Sequence, residues 1–182
     1  MQVTNRLRTL ACLALIAASA PSPPAQTRTL PRVEIRLVSG KVLKPGDLRG
    51  KVTILDFWGT WCKPCLAEIP QYNTLYRDFH RRGLQFVALA VESGSERDVA
   101  SAVKRLKIEY PVSNATAEQL DRFGKIVVFP TTWLFDRDGK LVKEFVGISA
   151  TKQKDLRQLL DRLLGDSAAV HSGSFLTTDR SR

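Results

Sequence analysis

Apolar and polar residues first alternate over 33–37, where Val33, Ile35 and Leu37 are separated by Glu34 and Arg36. A period of two marks a strand with one buried face. Ser39-Gly40 turns the chain into a second short strand at 41–43, and 45–50 reads as a loop. Residues 52–58 are almost continuously apolar, as in a central strand covered on both faces. Helical spacing follows over 62–80, with Leu66, Ile69, Leu75, Tyr76 and Phe79 as core contacts and a kink expected at Pro70. A second buried strand is predicted at 85–91, a helix at 96–107, and a shorter helix at 116–123 stopped by Gly124. A strand at 127–135, interrupted by Pro130, is joined through Asp138-Gly139 to a strand at 140–146. The last helix is predicted at 151–164. This order predicts an α/β domain, a central mixed sheet flanked by helices on both faces.

The 182 residues suffice for one domain with its own core. With 43% hydrophobic and 25% charged residues, the usage is globular and excludes wholesale disorder, collagen and a long coiled coil. The net charge of +10 is uneven: residues 1–50 hold 8 basic and 2 acidic residues, whereas 51–100 hold 6 of each. Nucleic-acid binding requires a basic stripe on the folded domain, so no nucleic-acid partner is expected.

Much of that excess belongs to the N-terminus. Arg6 and Arg8 precede an apolar stretch at 10–20 and a Pro-rich segment at 21–25. This is the pattern of a secretory signal. Residues 1–25 therefore read as a signal peptide or N-terminal anchor, 32–164 as the folded domain, and 165–182 as a disordered tail. The expected location is periplasmic or otherwise extracytoplasmic, with tethering to the membrane through the N-terminus. Cys12 falls in the signal, which leaves Cys62 and Cys65. A disulfide over so short a loop removes little unfolded-state entropy, so the pair points to chemistry rather than stapling.

Cys62-Lys63-Pro64-Cys65 stands where a buried strand gives way to a helix. At the N-cap, the Cys62 sulfur would face the unpaired N–H groups of the first turn, which favour thiolate over thiol. Pro64 removes one such donor and leans the motif towards a reductant; Cys65 would be the more shielded, resolving thiol. Zinc needs about four ligands, and beyond the signal the chain offers only these two cysteines, His80 and His171. Haem attachment needs a histidine directly after the second cysteine, where Leu66 stands. No metal and no cofactor are expected.

Asp56 lies inside the apolar run at 52–58, where burial raises a carboxyl pKa. It would take a proton from Cys65 as that thiol attacks a mixed disulfide. Glu68 shares a helix side with Cys65 and reads equally as a proton-transfer group or a surface acid. Pro130 breaks a strand, as proline does at an edge, a bulge or a special bend. A cis Pro130 beside the cysteines would leave backbone free for a substrate strand. Trp61 adjoins the nucleophile and would shape its surroundings; Trp58 and Trp133 read as core.

With these residues the chain resembles the thioredoxin superfamily, and within it the exported TlpA/ResA-like thiol–disulfide oxidoreductases. The resemblance rests on residues 56–65, on Glu68-Ile69-Pro70, on Phe129-Pro130-Thr131-Thr132 and on the hairpin at 136–139, within a match over about 32–164. It implies a thioredoxin-like fold with an N-terminal β-hairpin and an inserted helix. It further implies Cys62 as attacking thiol, Cys65 as resolving thiol, Asp56 as buried acid and Pro130 as cis-proline. Trp61, Phe129 and Thr131 are the expected substrate contacts. Some exported relatives carry a neutral residue in place of Asp56, and Phe129 is bulkier than the residue often found before the cis-proline.

The function expected is an extracytoplasmic protein-disulfide reductase. Its partners would be protein disulfide substrates and a membrane-bound electron donor that re-reduces the Cys62/Cys65 pair. The alternatives are a disulfide oxidase or isomerase, and a non-catalytic metal- or partner-binding module. Peroxidase chemistry fits less well, because Thr60 stands two rather than three residues before Cys62.

Overall fold

Strand β3 (Val52–Trp58) is buried along its whole length. It runs parallel to β4 (Leu84–Ala90) on one side and antiparallel to β6 (Thr131–Phe135) on the other. Strands β5 (Val112–Asn114) and β7 (Leu141–Val146) complete a five-stranded mixed sheet of order β5-β4-β3-β6-β7. The short strands β1 (Ile35–Arg36) and β2 (Val42–Leu43) form a separate antiparallel hairpin. The computed structural model describes residues 28–124 and 126–165. The expected leader at 1–25, and the expected tail beyond its first residue, lie outside the described residues. Residues 28–30 already pair with the β6–β7 hairpin, through Thr29 opposite Lys140 and the bond from the Leu30 N–H to the Gly139 carbonyl.

Alternation along β3 sorts its side chains onto two faces. Ile54 and Trp58 join the core beneath α1 (Lys63–Phe79), α2 (Glu96–Arg105) and α4 (Lys152–Gly165), together with Leu134, Leu156, Leu160 and Leu164. Leu55 and Phe57 join the opposite core, with Ile35, Leu43, Trp133 and Phe135 under the β1–β2 hairpin and Phe123 of α3 (Ala117–Phe123). α1 runs unbroken through Pro70. Among the described residues no helix is long and apolar enough to cross a membrane.

Four sequence expectations change. The strand expected over 127–135 starts only at Thr131; Val127 and Val128 are exposed outside it. Proline cannot donate to a ladder, so pairing begins after Pro130. The loop at 45–50 contains a single 3-10 turn, Pro45–Leu48. β5, absent from the sequence reading, is a three-residue edge strand held parallel to β4. Leu66 and Tyr76 are only partly buried against the core.

Candidate active site

At the C-terminal end of β3 the chain turns at Gly59 and enters α1 with Cys62 as the N-cap residue. The Cys62 sulfur accepts the Cys65 N–H at 3.3 Å. Cys62 and Cys65 are joined as a disulfide, with 5.3 Å between their Cα atoms. Pro64 lies in the first turn and contributes no donor. The sulfur of Cys62 thus meets one N–H and the positive end of the helix dipole, an environment that favours a thiolate when the pair is reduced. Both cysteines are buried, at 4% and 3% exposure, so the greater shielding expected of Cys65 is not found.

The rim above them is aromatic. Trp61 is half exposed, donates its indole N–H to the Val91 carbonyl at 3.2 Å and meets Phe129 edge-on at 5.4 Å. Gly59 leaves room for this ring: a Cβ there would lie 2.6 Å from the indole. The Thr60 N–H donates to the Ser93 hydroxyl at 3.0 Å, which fixes the loop from a second side. The Phe129-Pro130 peptide is cis. Thr131 is buried and its hydroxyl donates to the Val128 carbonyl at 2.7 Å. Its side chain is therefore committed within the protein.

Asp56 shares its strand face with Ile54 and Trp58, and so lies on the cysteine side of the sheet. Burial pushes its carboxyl up to about 7, against the lowering effects of the Thr132 hydroxyl and of Lys152. Register places Thr132 directly across from it, with Thr132 Oγ1 2.8 Å from Asp56 Oδ1. Thr132 Oγ1 lies 2.8 Å from the Tyr72 hydroxyl, which in turn lies 3.1 Å from Glu68 Oε2. Lys152 is wholly buried, with its Nζ 2.7 Å from Glu68 Oε1 and 2.8 Å from Oε2. Burial also drives the Tyr72 and Tyr110 phenols well above their ordinary range, so both remain neutral.

The structure therefore brings Asp56 and Glu68 into one buried network, and Trp61 and Phe129 into one rim over the cysteines. Tyr72 and Lys152 escaped the sequence reading, and Thr132 entered it only as part of the segment around Pro130. A signal existed for Lys152: it stands one turn before Leu156 on the buried stripe 152, 156, 160, 164. His80 is exposed at the far end of α1, and Trp58 and Trp133 are core. Among the described residues, none form a group of three or more histidine, cysteine, aspartate and glutamate side chains able to hold a metal.

Known proteins share this architecture. Residues 25–160 match the Redoxin family. The thiol-disulfide oxidoreductase ResA of Bacillus cereus is 33% identical over 123 residues, covering 68% of this chain and 70% of the relative. A thioredoxin-family thiol:disulfide interchange protein from Chlorobium tepidum superposes with a TM-score of 0.69 at 30% identity, over 79% of this chain and 100% of that one. A second Chlorobium tepidum structure, described as a putative thiol:disulfide interchange protein DsbE, gives 0.68 at 28% identity, over 76% and 97%.

Proposed function

Because this chain belongs to the Redoxin family, among the ResA-like thiol–disulfide oxidoreductases of the thioredoxin superfamily, we propose that its Cys62/Cys65 pair reduces protein disulfides outside the cytoplasm. One observation carries the reading: Cys62 caps α1 with its sulfur on the Cys65 N–H, next to a proline that supplies no donor. A thiolate held by few donors is a poorer leaving group and its disulfide a weaker oxidant, which supports the reductive direction. The basic, then apolar, N-terminal sequence supports export, with tethering where the apolar segment is retained.

In the reaction the Cys62 thiolate attacks one sulfur of a partner disulfide and the other leaves as a thiolate. Cys65 then attacks Cys62 in the mixed disulfide and frees the reduced partner. The Cys65 proton passes to ionised Asp56, and the departing thiolates take protons from water. Trp61, Phe129 and the backbone about Thr131 flank the incoming partner. The closed Cys62–Cys65 disulfide is re-reduced by a membrane-bound electron donor, since such a compartment has no reducing thiol pool.

The test is the equilibrium reduction potential in thiol buffers, read by alkylating the two cysteines, with Cys62→Ser as control. A value near or below about −230 mV is expected, with exchange lost in Cys62→Ser. A value above about −180 mV would make the protein an oxidant or isomerase instead.

A further inference from the structure

Between Asp56 and Glu68 lie three oxygen–oxygen contacts: Asp56 to Thr132 at 2.8 Å, Thr132 to Tyr72 at 2.8 Å, and Tyr72 to Glu68 at 3.1 Å. Two hydroxyls supply two protons for these three links. With both carboxyls ionised one link holds no proton: either Thr132 and Tyr72 face each other oxygen to oxygen at 2.8 Å, or Tyr72 turns to Thr132 and leaves its contact with Glu68 to Lys152 Nζ, 3.5 Å from the Tyr72 hydroxyl. With one acid proton added, every link is a hydrogen bond. Lys152, wholly buried against both oxygens of Glu68, takes Glu68 as the anion. The extra proton therefore rests on Asp56.

We propose that Thr132 and Tyr72 are a proton relay joining Asp56, buried on the cysteine side of the sheet, to Glu68 at the edge of the core, and that Lys152 positions the outer end. The Glu68 side chain is 14% exposed, whereas Asp56 is buried. In the forward step Asp56 donates to Thr132, Thr132 passes its own proton to Tyr72, and Tyr72 passes its own to Glu68. Asp56 is left as the carboxylate and Glu68 as the acid; no electrons move and no proton is lost. The emptied Asp56 can then accept the Cys65 proton; when the disulfide is opened Asp56 returns that proton to the Cys65 thiolate, and the reverse shift from Glu68 refills it. This role rests on the dithiol mechanism proposed above. The charged and titratable groups that act on Asp56 or feel it are Glu68 and Tyr72 from α1, Lys152 from α4 and Tyr110 ahead of β5; the cysteine pair lies in the core on the same side of the sheet. Both phenols stay neutral, so Tyr72 conducts the proton without holding charge.

The reaction of the reduced full chain with 5,5′-dithiobis(2-nitrobenzoate) separates the steps, since Cys62 attack and Cys65 resolution each release one chromophore. Thr132→Val and Tyr72→Phe are expected to slow the second release at least about tenfold and to leave the first within about twofold, with Thr132→Ser restoring the second. In mixtures of light and heavy water the wild-type second phase should curve with deuterium fraction, showing several protons in motion. Infrared spectra at pH 6 should show an unionised carboxyl band that Asp56→Asn removes. Equal slowing of both phases, an unaltered second phase, a straight deuterium dependence or no such infrared band would each overturn the relay. Absence of the first phase would overturn the thiol-exchange reading and the relay's use with it. An intact first phase with an unaltered second overturns the relay alone.

Discussion

The two faces of one sheet are built on opposite terms. Towards the β1–β2 hairpin and α3, Phe57, Phe123, Trp133 and Phe135 pack edge to face, with ring centroids between 4.8 and 6.4 Å apart. Among the described residues no ionisable group is buried with them. Towards α1 and α4, one residue along the strand, Asp56, Thr132 and Lys152 are all buried. Adjacent register pairs divide the two: Leu55 opposes Trp133, and Asp56 opposes Thr132. An aromatic core gains from area and shape alone. The polar core holds only while every member keeps its partner, and that exposure to loss is what equips it to move a proton.

Truncation should therefore act differently on the two faces. Trp133→Ala removes the largest fully buried side chain of the apolar face and is expected to cost about 4 kcal/mol in denaturant unfolding. Its exchange rate per folded molecule should be unchanged; a lost rate would mean that the faces are not independent. On the polar face Lys152→Met leaves Glu68 without its cation and should cost about 3 kcal/mol. Adding Glu68→Leu should restore most of that stability and none of the relay, whereas an aromatic-face mutation has no such rescue.

A smaller effect, with a pH signature, belongs to Asp56. Its carboxyl rises to about 7 in the fold, against roughly 3.9 unfolded, so between these values the native chain holds a proton that the unfolded chain has lost. Wild-type stability falls as pH rises through that window. Asp56→Asn abolishes the fall. Above pH 7 the variant gains on the order of 4 kcal/mol from the proton alone, reduced to about 2 by the weaker bond an amide makes to Thr132. Urea titrations at pH 5 and 8 should show the variants converging at the lower pH. A gap that widens there would contradict the buried, proton-holding carboxyl.

What could be read along the chain was local. A carboxylate in the middle of 52–58 announces a buried acid, and a cysteine at a strand-to-helix junction announces an N-cap. Element order and the run at 52–58 likewise carried the mixed sheet with helices on both faces. Partnership was not legible. Thr132 meets Asp56 because antiparallel register sets them opposite, across 76 residues of sequence. Tyr72 reaches Thr132 because α1 docks on that face. Lys152 stands on the buried stripe of its helix, but only docking of α4 on α1 shows which acid it meets. β5 escaped for a related reason: three residues carry no period, and only pairing with β4 makes them a strand.

The buried ion pair has a consequence in time as well as in space. Lys152 follows Glu68 by 84 residues and opens the last described helix. A growing chain therefore carries both cysteines, Asp56 and Glu68 long before it carries the cation that pairs with Glu68. Until then Glu68 lacks the cation that meets it in the fold. The finished site is a property of the completed chain: synthesis of α4 is the step that turns a CxxC segment into a proton-balanced redox centre.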